Sequence, residues 1–273
     1  MSTSDKVVAG ATGISLFSWL TSKLHSRLTD EVYNRYAKVY EPPDVTSIVI
    51  PAFNEEENIE QTLKSVLSQN VILKYPDYFE CIVVDNESTD RTSEIARQYC
   101  QVTSAPRGKL NARHKGIKQA VGNIIVSCDA DTYYPPNWLN LILRHFYNPD
   151  VVGVHGPLLF KEASMPLRLA AVWNANISPH VQRAFAGGNS AFRKAAYLAA
   201  GGFDLTIDQT NRTQVAYEKE ISFGDRLREI GKVVFEVRVP VFTSMRYMGS
   251  TYLIETERQL TQYQEERKSG ERF

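Results

Sequence analysis

Between residues 45 and 128, apolar runs of strand length alternate with stretches whose apolar residues recur at helical spacing. The strand-like runs are rich in β-branched residues and each is followed by turn residues. In chain order the predicted segments are Val45–Ile50, Ile59–Leu67, Phe79–Val84, Thr92–Tyr99, Ala112–Ala120 and Ile124–Cys128. Strands that alternate with helices favour a mostly parallel sheet with right-handed crossovers. The sequence therefore predicts an α/β fold with helices flanking a central sheet, and Asn54 with Glu57 predicts the cap of the first helix.

Two carboxylates, Asp129 and Asp131, follow the apolar run that begins at Ile124. The strand must end there because Tyr133–Pro136 is a turn sequence. In an open α/β sheet, ligands bind just beyond the carboxyl ends of the strands. Carboxylates this close repel each other unless a positive charge neutralises them, and a hard divalent cation with oxygen ligands does so. The simpler alternative is that Asp131 caps the next helix and Asp129 is solvated.

Two other polar segments follow predicted strands. Pro51–Glu55 comes after the first strand and Asp85–Asp90 after the second. The carboxyl ends of parallel strands meet at one edge of a sheet, so these segments should lie beside Asp129 and Asp131. Three acidic or polar strand ends at one edge indicate a nucleotide-and-metal cleft rather than three unrelated loops.

Composition limits the partners that this protein can have and indicates the compartment in which it works. The 273 residues carry 31 basic and 31 acidic side chains, and the resulting zero net charge argues against nucleic acid as a partner. The three cysteines do not make a disulfide framework, and Cys81 and Cys128 lie in apolar runs, which is typical of buried thiols in a reducing compartment. No apolar run reaches the length of a membrane span. We therefore expect a cytoplasmic protein.

An amphipathic stretch at residues 7–28 precedes the core. Phe17, Leu20 and Leu24 fall on one face of a predicted helix, with Lys23 beside them. Such a face packs on the parent domain, binds a partner, or lies on a membrane surface. The last of these placements would make the protein membrane-peripheral.

Four motifs occur in order along the first half of the chain. They are I-V-I-P-A-F-N-E-E at 48–56, I-V-V-D-N-E-S-T-D at 82–90, G-K-L-N-A-R-H-K-G-I at 108–117 and C-D-A-D at 128–131. Together they resemble the nucleotide-binding half of the family-two glycosyltransferases, and four linked motifs are far more specific than a lone D-x-D. The resemblance implies a GT-A fold with a Rossmann-like sheet and an inverting, hexosyltransferase-like activity. That activity would move a sugar from a nucleoside-diphosphate sugar to a hydroxyl of a glycan, lipid or small-molecule acceptor, with Mn²⁺ or Mg²⁺ as cofactor.

The resemblance also implies a role for each residue of the cleft. Asp85 would hydrogen-bond the base, and Asp131 would hold the cation on the diphosphate, assisted by Asp129 directly or through the ribose. The residues that would line the nucleoside pocket or contact the nucleotide are Ala52, Phe53, Glu55, Lys109 and Arg113. Each has a simpler role open to it, such as a turn cap or a solvated charge. Their joint position at one edge of the sheet favours the interpretation that they line a nucleotide-binding cleft.

The second half of the chain holds the predicted acceptor side. Gly187–Ser190 resembles the family's acceptor-side segment, which would put Gly188 and Asn189 beside the donor sugar. Many relatives place a further metal-binding histidine after the last core strand, and this chain has none there. Arg246 would instead meet the donor phosphates.

The resemblance also assigns a general base. In the family an acidic pair precedes an Arg-Leu on a helix, and the second member of the pair is the base. Counting back from Arg226–Leu227 assigns the base to Glu220 and puts Lys219 where the first carboxylate is expected. Glu218 is the rival if the loop is offset by two residues, and Asp225 is a poorer rival because it lies farther along the helix predicted at 217–231.

The expected domain boundaries are 1–43 for an N-terminal helical extension, 44–131 for the nucleotide-sugar-binding half, 132–250 for the acceptor-binding and catalytic half, and 251–273 for a polar tail. Two alternative functions stay open. A catalytically inactive nucleotide-sugar-binding or scaffolding relative would carry changes such as Lys219. A sugar-nucleotide nucleotidyltransferase would need a glycine-rich, basic loop after the first strand, where the chain reads P-A-F-N-E.

Overall fold

The computed structural model describes residues 38–161, 185, 187–205 and 214–244, with the backbone alone from 214 to 221. The helix predicted at 7–28 and the tail predicted at 251–273 lie outside these residues. Within the described ranges, no helix is both long enough and apolar enough to cross a lipid bilayer.

In the first half, strands and helices alternate as the sequence predicts, and two further elements, Asn70–Lys74 and Gln101–Ser104, were not predicted. These elements are β1 (Thr46–Ala52), α1 (Ile59–Leu67), α2 (Asn70–Lys74), β2 (Phe79–Asp85), α3 (Thr92–Ala96), β3 (Gln101–Ser104), α4 (Lys109–Gln119) and β4 (Ile124–Cys128). The second half contributes α5 (Trp138–Leu143), β5 (Val151–His155), β6 (Leu158–Phe160), β7 (Asn189–Arg193), α6 (Lys194–Ala199), α7 (Gln214–Ile230), β8 (Lys232–Phe235) and β9 (Val241–Thr243). Short 3-10 turns at Pro76–Tyr78 and Arg144–Tyr147 lead into β2 and towards β5.

The large sheet has the strand order β3-β2-β1-β4-β7-β5-β8. Most neighbouring strands are parallel, and β7 is antiparallel to both β4 and β5. Strands β6 and β9 form a separate parallel pair. The prediction of an α/β fold with a mostly parallel central sheet and flanking helices is confirmed.

Burial on both faces of the sheet explains why its central strands read as continuous apolar runs. Every residue of β1 is buried, and its side chains point alternately into two hydrophobic clusters. Ile48 and Ile50 pack in the cluster that includes α1 and α5, whereas Val49 packs in the cluster that includes α4. A Cβ on Gly116 of α4 would lie 2.5 Å from Val49 Cγ1, so glycine allows this helix to approach the sheet closely.

Two local predictions are wrong in instructive ways, and one further segment forms elements for which the sequence analysis made no prediction. Asn54 does not cap α1, because it has φ of 52° and its side chain bonds to another loop, while Asn58 precedes the helix. The helix predicted at Thr92–Tyr99 ends at Ala96, and the N–H groups of Gln98 and Tyr99 bond three residues back, as in a 3-10 turn. The segment after Gly188 first forms β7 and only then α6. The alternation of small and apolar residues in this segment forms a strand because two neighbouring strands, β4 and β5, are there to pair with it.

Candidate active site

The loops after β1, β2 and β4 come together at the carboxyl edge of the large sheet. Ala52 lies opposite Asp85 in the register of β1 and β2, so the loops that follow them begin side by side. Strand β4 is the other neighbour of β1 and brings Asp129 and Asp131 to the same edge. The topology therefore places the three sequence-predicted segments next to one another.

Hydrogen bonds tie the first two of these loops together. The backbone N–H of Thr89 donates to Asn54 Oδ1 at 2.8 Å, and the N–H of Asn54 donates to Ser88 Oγ at 3.0 Å. The N–H of Glu55 donates to the buried Thr92 Oγ1 at 2.7 Å. These contacts hold the backbone on either side of Phe53 and Asp85 in one conformation before any ligand arrives.

The acidic residues of these loops have different surroundings. Glu55 is 5% exposed and accepts a hydrogen bond from Asn58 Nδ2 at 3.1 Å. Burial of Asp90 opposes its ionisation, but hydrogen bonds from Thr92 outweigh that effect and lower its pKa. Asp85 is only half-buried and accepts a backbone N–H at 3.3 Å. Of these three carboxylates, Glu55 is buried, whereas Asp85 and Asp90 are both partly exposed.

The ring of Phe53 is covered by a side chain that the sequence did not single out. The guanidinium carbon of Arg107 lies 4.3 Å from the centroid of the Phe53 ring, a cation–π contact. Both side chains belong to loops at the carboxyl edge. They form a flat, positively charged wall next to Asp85.

Asp129 is held by two cations from α4. Its Oδ1 lies 2.9 Å from Lys109 Nζ and 2.6 Å from Arg113 Nη2. Arg113 is 1% exposed, whereas Lys109 is 58% exposed. Burial opposes ionisation of Asp129, but the charges of Lys109 and Arg113 lower its pKa below the usual value. The Asp129 carboxylate is therefore ionised, oriented, and joined to a lysine that reaches solvent.

The backbone around Asp129 is also fixed. Its N–H donates to Tyr134 Oη at 2.8 Å, and that hydroxyl donates to the carbonyl of Gly188 at 2.8 Å. A Cβ on Gly188 would lie 2.3 Å from Asp129 Oδ2, so only glycine lets the chain pass this close to the carboxylate. Tyr134 is 1% exposed and thus serves as a strut between the D-x-D turn and the start of β7.

We expect Arg113→Met to destabilise the protein by about 3 kcal/mol, because it leaves the Asp129 carboxylate with Lys109 alone. The pKa of Asp129 is lowered in the folded protein, so its ion pairs stabilise fully above the pKa of an unfolded aspartate and lose their effect as pH falls through the folded pKa. The difference from wild type should therefore be large in urea unfolding at about pH 7 and shrink at about pH 3. The exposed Arg97→Met is the matched control. Equal unfolding free energies for the two variants would contradict this account.

The side chain of Asp131 is more buried than that of a solvated carboxylate would be. It is 8% exposed, and its Oδ1 accepts a hydrogen bond from Thr243 Oγ1 of β9 at 3.2 Å. Lys161 Nζ donates to its backbone carbonyl at 2.8 Å. The residues that surround Asp131 therefore come from the second half of the chain, through the β6–β9 pair.

The residues present fit a divalent cation that is shared with a ligand. In the part of the chain that the structure describes, no three His, Cys, Asp or Glu side chains are grouped as a complete protein cage would require. The Asp129 carboxylate already faces two cations, and Asp131 is the second, more buried carboxylate of the same turn. Magnesium-type sites commonly use one or two carboxylates and take their remaining ligands from substrate phosphates and water. Asp131 and Thr243 offer oxygen atoms of the kind that such a cation takes.

Asn189 is used differently from the sequence expectation. It is fully buried, its Nδ2 donates to the carbonyls of Pro157 and Val239 at 2.8 Å each, and Trp138 Nε1 donates to its Oδ1 at 2.7 Å. The side chain thus ties together three segments beneath the D-x-D turn. It is not presented to a sugar, and any such contact is left to the backbone of Gly188.

The predicted base lies on a helix that is held against the domain by residues later in the same helix. The helix predicted at 217–231 is observed as α7. Arg226 anchors it by donating to the carbonyls of Ala200 and Gly202 at 2.8 and 2.6 Å, and Leu227 beside it is fully buried. The backbone of Glu218 and Glu220 belongs to α7, and their side chains lie outside the described atoms. Asp225 pairs with Arg228 at 3.3 Å, and Arg246 lies outside the described residues.

Sequence reasoning missed three residues that shape this site: Thr243, Tyr134 and Arg107. Tyr134 was read only as part of a turn, although an aromatic residue three positions after a D-x-D could have suggested a buried hydroxyl. Arg107 had a signal, since it immediately precedes the glycine of the third motif. Thr243 had none, because 112 residues separate it from Asp131.

Comparison with known proteins gives one family. The family model described as glycosyl transferase family 2 matches residues 47–197, which include the three strand-end loops and β7. Among curated proteins, the glycosyltransferase AglE of Haloferax volcanii is 38% identical over 102 residues, covering 34% of this chain and 32% of that protein. A poly-β-1,6-N-acetyl-D-glucosamine synthase of Staphylococcus epidermidis is 28% identical over 179 residues, covering 59% of this chain and 42% of that protein. The chain thus spans well under half the length of these relatives.

Solved structures show the same fold. A mannosyltransferase from Pyrobaculum calidifontis, PcManGT, crystallised with GDP-Man and Mn²⁺, superposes with a TM-score of 0.59 at 19% identity, covering 85% of this chain and 69% of that one. Residues 1–349 of S. aureus TarS, in complex with UDP-GlcNAc, superpose with a TM-score of 0.59 at 17% identity, covering 75% of this chain and 60% of that one. At these identities the likeness establishes the GT-A architecture, as the four motifs predicted.

Proposed function

Because the chain belongs to glycosyl transferase family 2, we propose that it transfers a sugar from a nucleoside-diphosphate sugar to an acceptor hydroxyl with inversion of configuration, using Mn²⁺ or Mg²⁺. The observation that carries the proposal is the position of Asp131, a buried carboxylate just after β4, at the same edge of the sheet as the half-buried Asp85. PcManGT holds GDP-Man and Mn²⁺, and TarS holds UDP-GlcNAc, which supports donors of this chemical class.

The loops after β1 and β2 would bind the nucleoside. Ala52 and Phe53 provide the floor, with the ring of Phe53 available to a base once Arg107 moves along it or away. The half-exposed Asp85 would accept a hydrogen bond from a base N–H. Glu55 supports this wall from within, because its carboxylate is buried against the start of α1.

The D-x-D turn would hold the diphosphate. Asp131 would bind a divalent cation, which would act as a Lewis acid on the diphosphate oxygens that carry the departing charge. Lys109, mostly exposed and paired to Asp129, lies where its ammonium can also approach a phosphate. Arg113 is buried against Asp129, so we assign it a positioning role and leave direct nucleotide contact to Lys109. Asp129 would then accept a hydrogen bond from the ribose, or bind the cation, through the lone pairs that Lys109 and Arg113 do not use.

The acceptor hydroxyl must lose a proton as it attacks the anomeric carbon opposite the diphosphate. We assign Glu220 as the general base that accepts this proton, with Glu218 as the rival. A positioned carboxylate typically contributes about 10²–10⁴-fold to the rate. Arg246 would contact the donor phosphates. The first turns of α7 are oriented by the Arg226 anchor.

We expect Thr243→Val to weaken divalent-cation binding about tenfold, because the hydroxyl that orients Asp131 is lost while side-chain volume is kept. Thr243→Ser keeps the hydroxyl and should retain most of the affinity. The measurement is calorimetric titration of Mn²⁺ into protein saturated with a nucleoside diphosphate. Wild-type affinity in the valine variant would remove Thr243 from the site.

Incubation with Mn²⁺ and a panel of sugar nucleotides tests the proposed activity. Slow hydrolysis of one donor, accelerated by added acceptors, is the expected result. Pyrophosphate-dependent formation of a nucleoside triphosphate would instead identify a nucleotidyltransferase. Binding without turnover for every donor and acceptor would identify an inactive binding relative. Lys219 and the absent histidine are the reasons to test for this outcome.

A further inference from the structure

Two of the three cysteines lie where β2 meets the edge strand β3, with Cys81 in β2 and Cys100 one residue before β3. Strands β2 and β3 are parallel, and their register begins with Ile82 opposite Gln101. The residues immediately before that pair are Cys81 and Cys100. Neighbouring strands lie about 4.8 Å apart, which is inside the range of about 4.4–6.8 Å between the Cα atoms of disulfide-bonded cysteines.

Both side chains also point to the same side of the sheet. Cys81 is 9% exposed in the hydrophobic cluster that contains α1, and Cys100 packs against that cluster while staying partly exposed. A hydrogen bond between the thiols raises the pKa of Cys81 and lowers the pKa of Cys100. Cys81 therefore keeps its proton, and Cys100, the more exposed residue of the two, has the thiol with more thiolate character, the arrangement that favours oxidation.

We propose that Cys81 and Cys100 form a reversible intramolecular disulfide when the protein meets hydrogen peroxide. The Cys100 thiolate attacks one peroxide oxygen, so that an S–O bond forms, the O–O bond breaks and hydroxide leaves. Cys81 then attacks the sulfur of the resulting sulfenic acid and gives up its proton. The S–S bond forms, the S–O bond breaks and water leaves. Peroxide is reduced and the two thiols are oxidised, and a dithiol reductant reverses the change.

Cys128 provides an internal control. It is fully buried, and burial raises the pKa of its thiol. It lies on β4, which is separated from β2 by β1. Cys81 is opposite Ile48, and Ile48 is opposite Val126, so at about 4.8 Å per strand the sulfur of Cys128 starts too far from Cys81 for a disulfide.

Peptide mapping can test the pair directly, because cleavage after Lys and Arg puts the cysteines on separate peptides, residues 75–91, 98–107 and 119–144. The folded protein is treated with one equivalent of peroxide, denatured, alkylated and digested without reduction. We expect a cross-linked species that joins 75–91 to 98–107, lacks two hydrogens and disappears after dithiothreitol. Peptide 119–144 should be alkylated in full.

Two variants make the test specific. In Cys81→Ser, peroxide should leave Cys100 as a sulfenic acid that a dimedone probe captures, because the resolving thiol is gone. Cys128→Ser should cross-link as the wild type does, and circular dichroism checks that each variant is folded. Sulfinic acid at Cys100 in the wild type, or full alkylation of both cysteines after peroxide, would overturn the proposal. Neither result depends on the proposed sugar transfer.

Discussion

Asp131→Asn should abolish metal-dependent donor binding and reduce sugar transfer by about 10³-fold, because a cation on the diphosphate supplies several kcal/mol of charge stabilisation. Asparagine keeps the size of the side chain and can still accept the hydrogen bond from Thr243, so the loss isolates the negative charge. Calorimetry with a nucleoside diphosphate, with and without Mn²⁺, measures binding, and release of the diphosphate measures transfer.

The matched control for this variant is Asp150→Asn, an exposed residue at the opposite end of the sheet, just before β5. It makes the same chemical change where no ligand is proposed, and its activity should equal that of the wild type. Donor binding by Asp131→Asn that is as tight and as metal-dependent as in wild type would remove the cation from the proposal.

Glu220→Gln should lower transfer by about 10²–10⁴-fold while leaving donor affinity nearly unchanged. Glutamine cannot accept the acceptor's proton, and the residue is assigned to the acceptor side, away from the nucleoside loops. Glu220 lies six residues before Arg226, so at about 1.5 Å per residue its backbone is roughly 9 Å along the helix axis from the anchor that fixes the helix. The readout is kcat for transfer beside the Kd for the donor.

Glu229→Gln is the matched control, because Glu229 is exposed on the same helix after the anchor. Glu218→Gln decides between the two candidate carboxylates. If it abolishes transfer while Glu220→Gln remains active, the base is Glu218 and the register inferred from Arg226–Leu227 is wrong. If both variants are fully active, no base lies on this turn.

The proposed redox pair, Cys81 in β2 and Cys100 just before β3, affects how such assays should be run. A Cys81–Cys100 disulfide would join the strand that ends at Asp85 to the neighbouring edge strand. Assays of donor binding should therefore include a reductant, so that effects of substitutions are not mixed with effects of oxidation.

Local patterns were sufficient for the main strands and helices of the first half of the chain, although they missed β3 and misplaced the cap of α1 and the end of α3. The apolar runs of β1, β2 and β4 and the helical spacing between them predicted the parallel sheet, and that topology then required their loops to meet at one edge. The family resemblance rested on the same segments, and the match at residues 47–197 agrees with it. These features depend on neighbours in sequence, so the sequence alone carries them.

The sequence by itself thus determined the fold class, the edge at which the acidic loops meet, and the family. Tertiary structure alone decided what each of those residues touches: Arg113 buried on Asp129, Thr243 bonded to Asp131 across 112 residues, and Asn189 held by Trp138. The physical reason is that a buried charge or amide must find a partner wherever the fold supplies one, and the partner's distance along the chain has no bearing on that requirement.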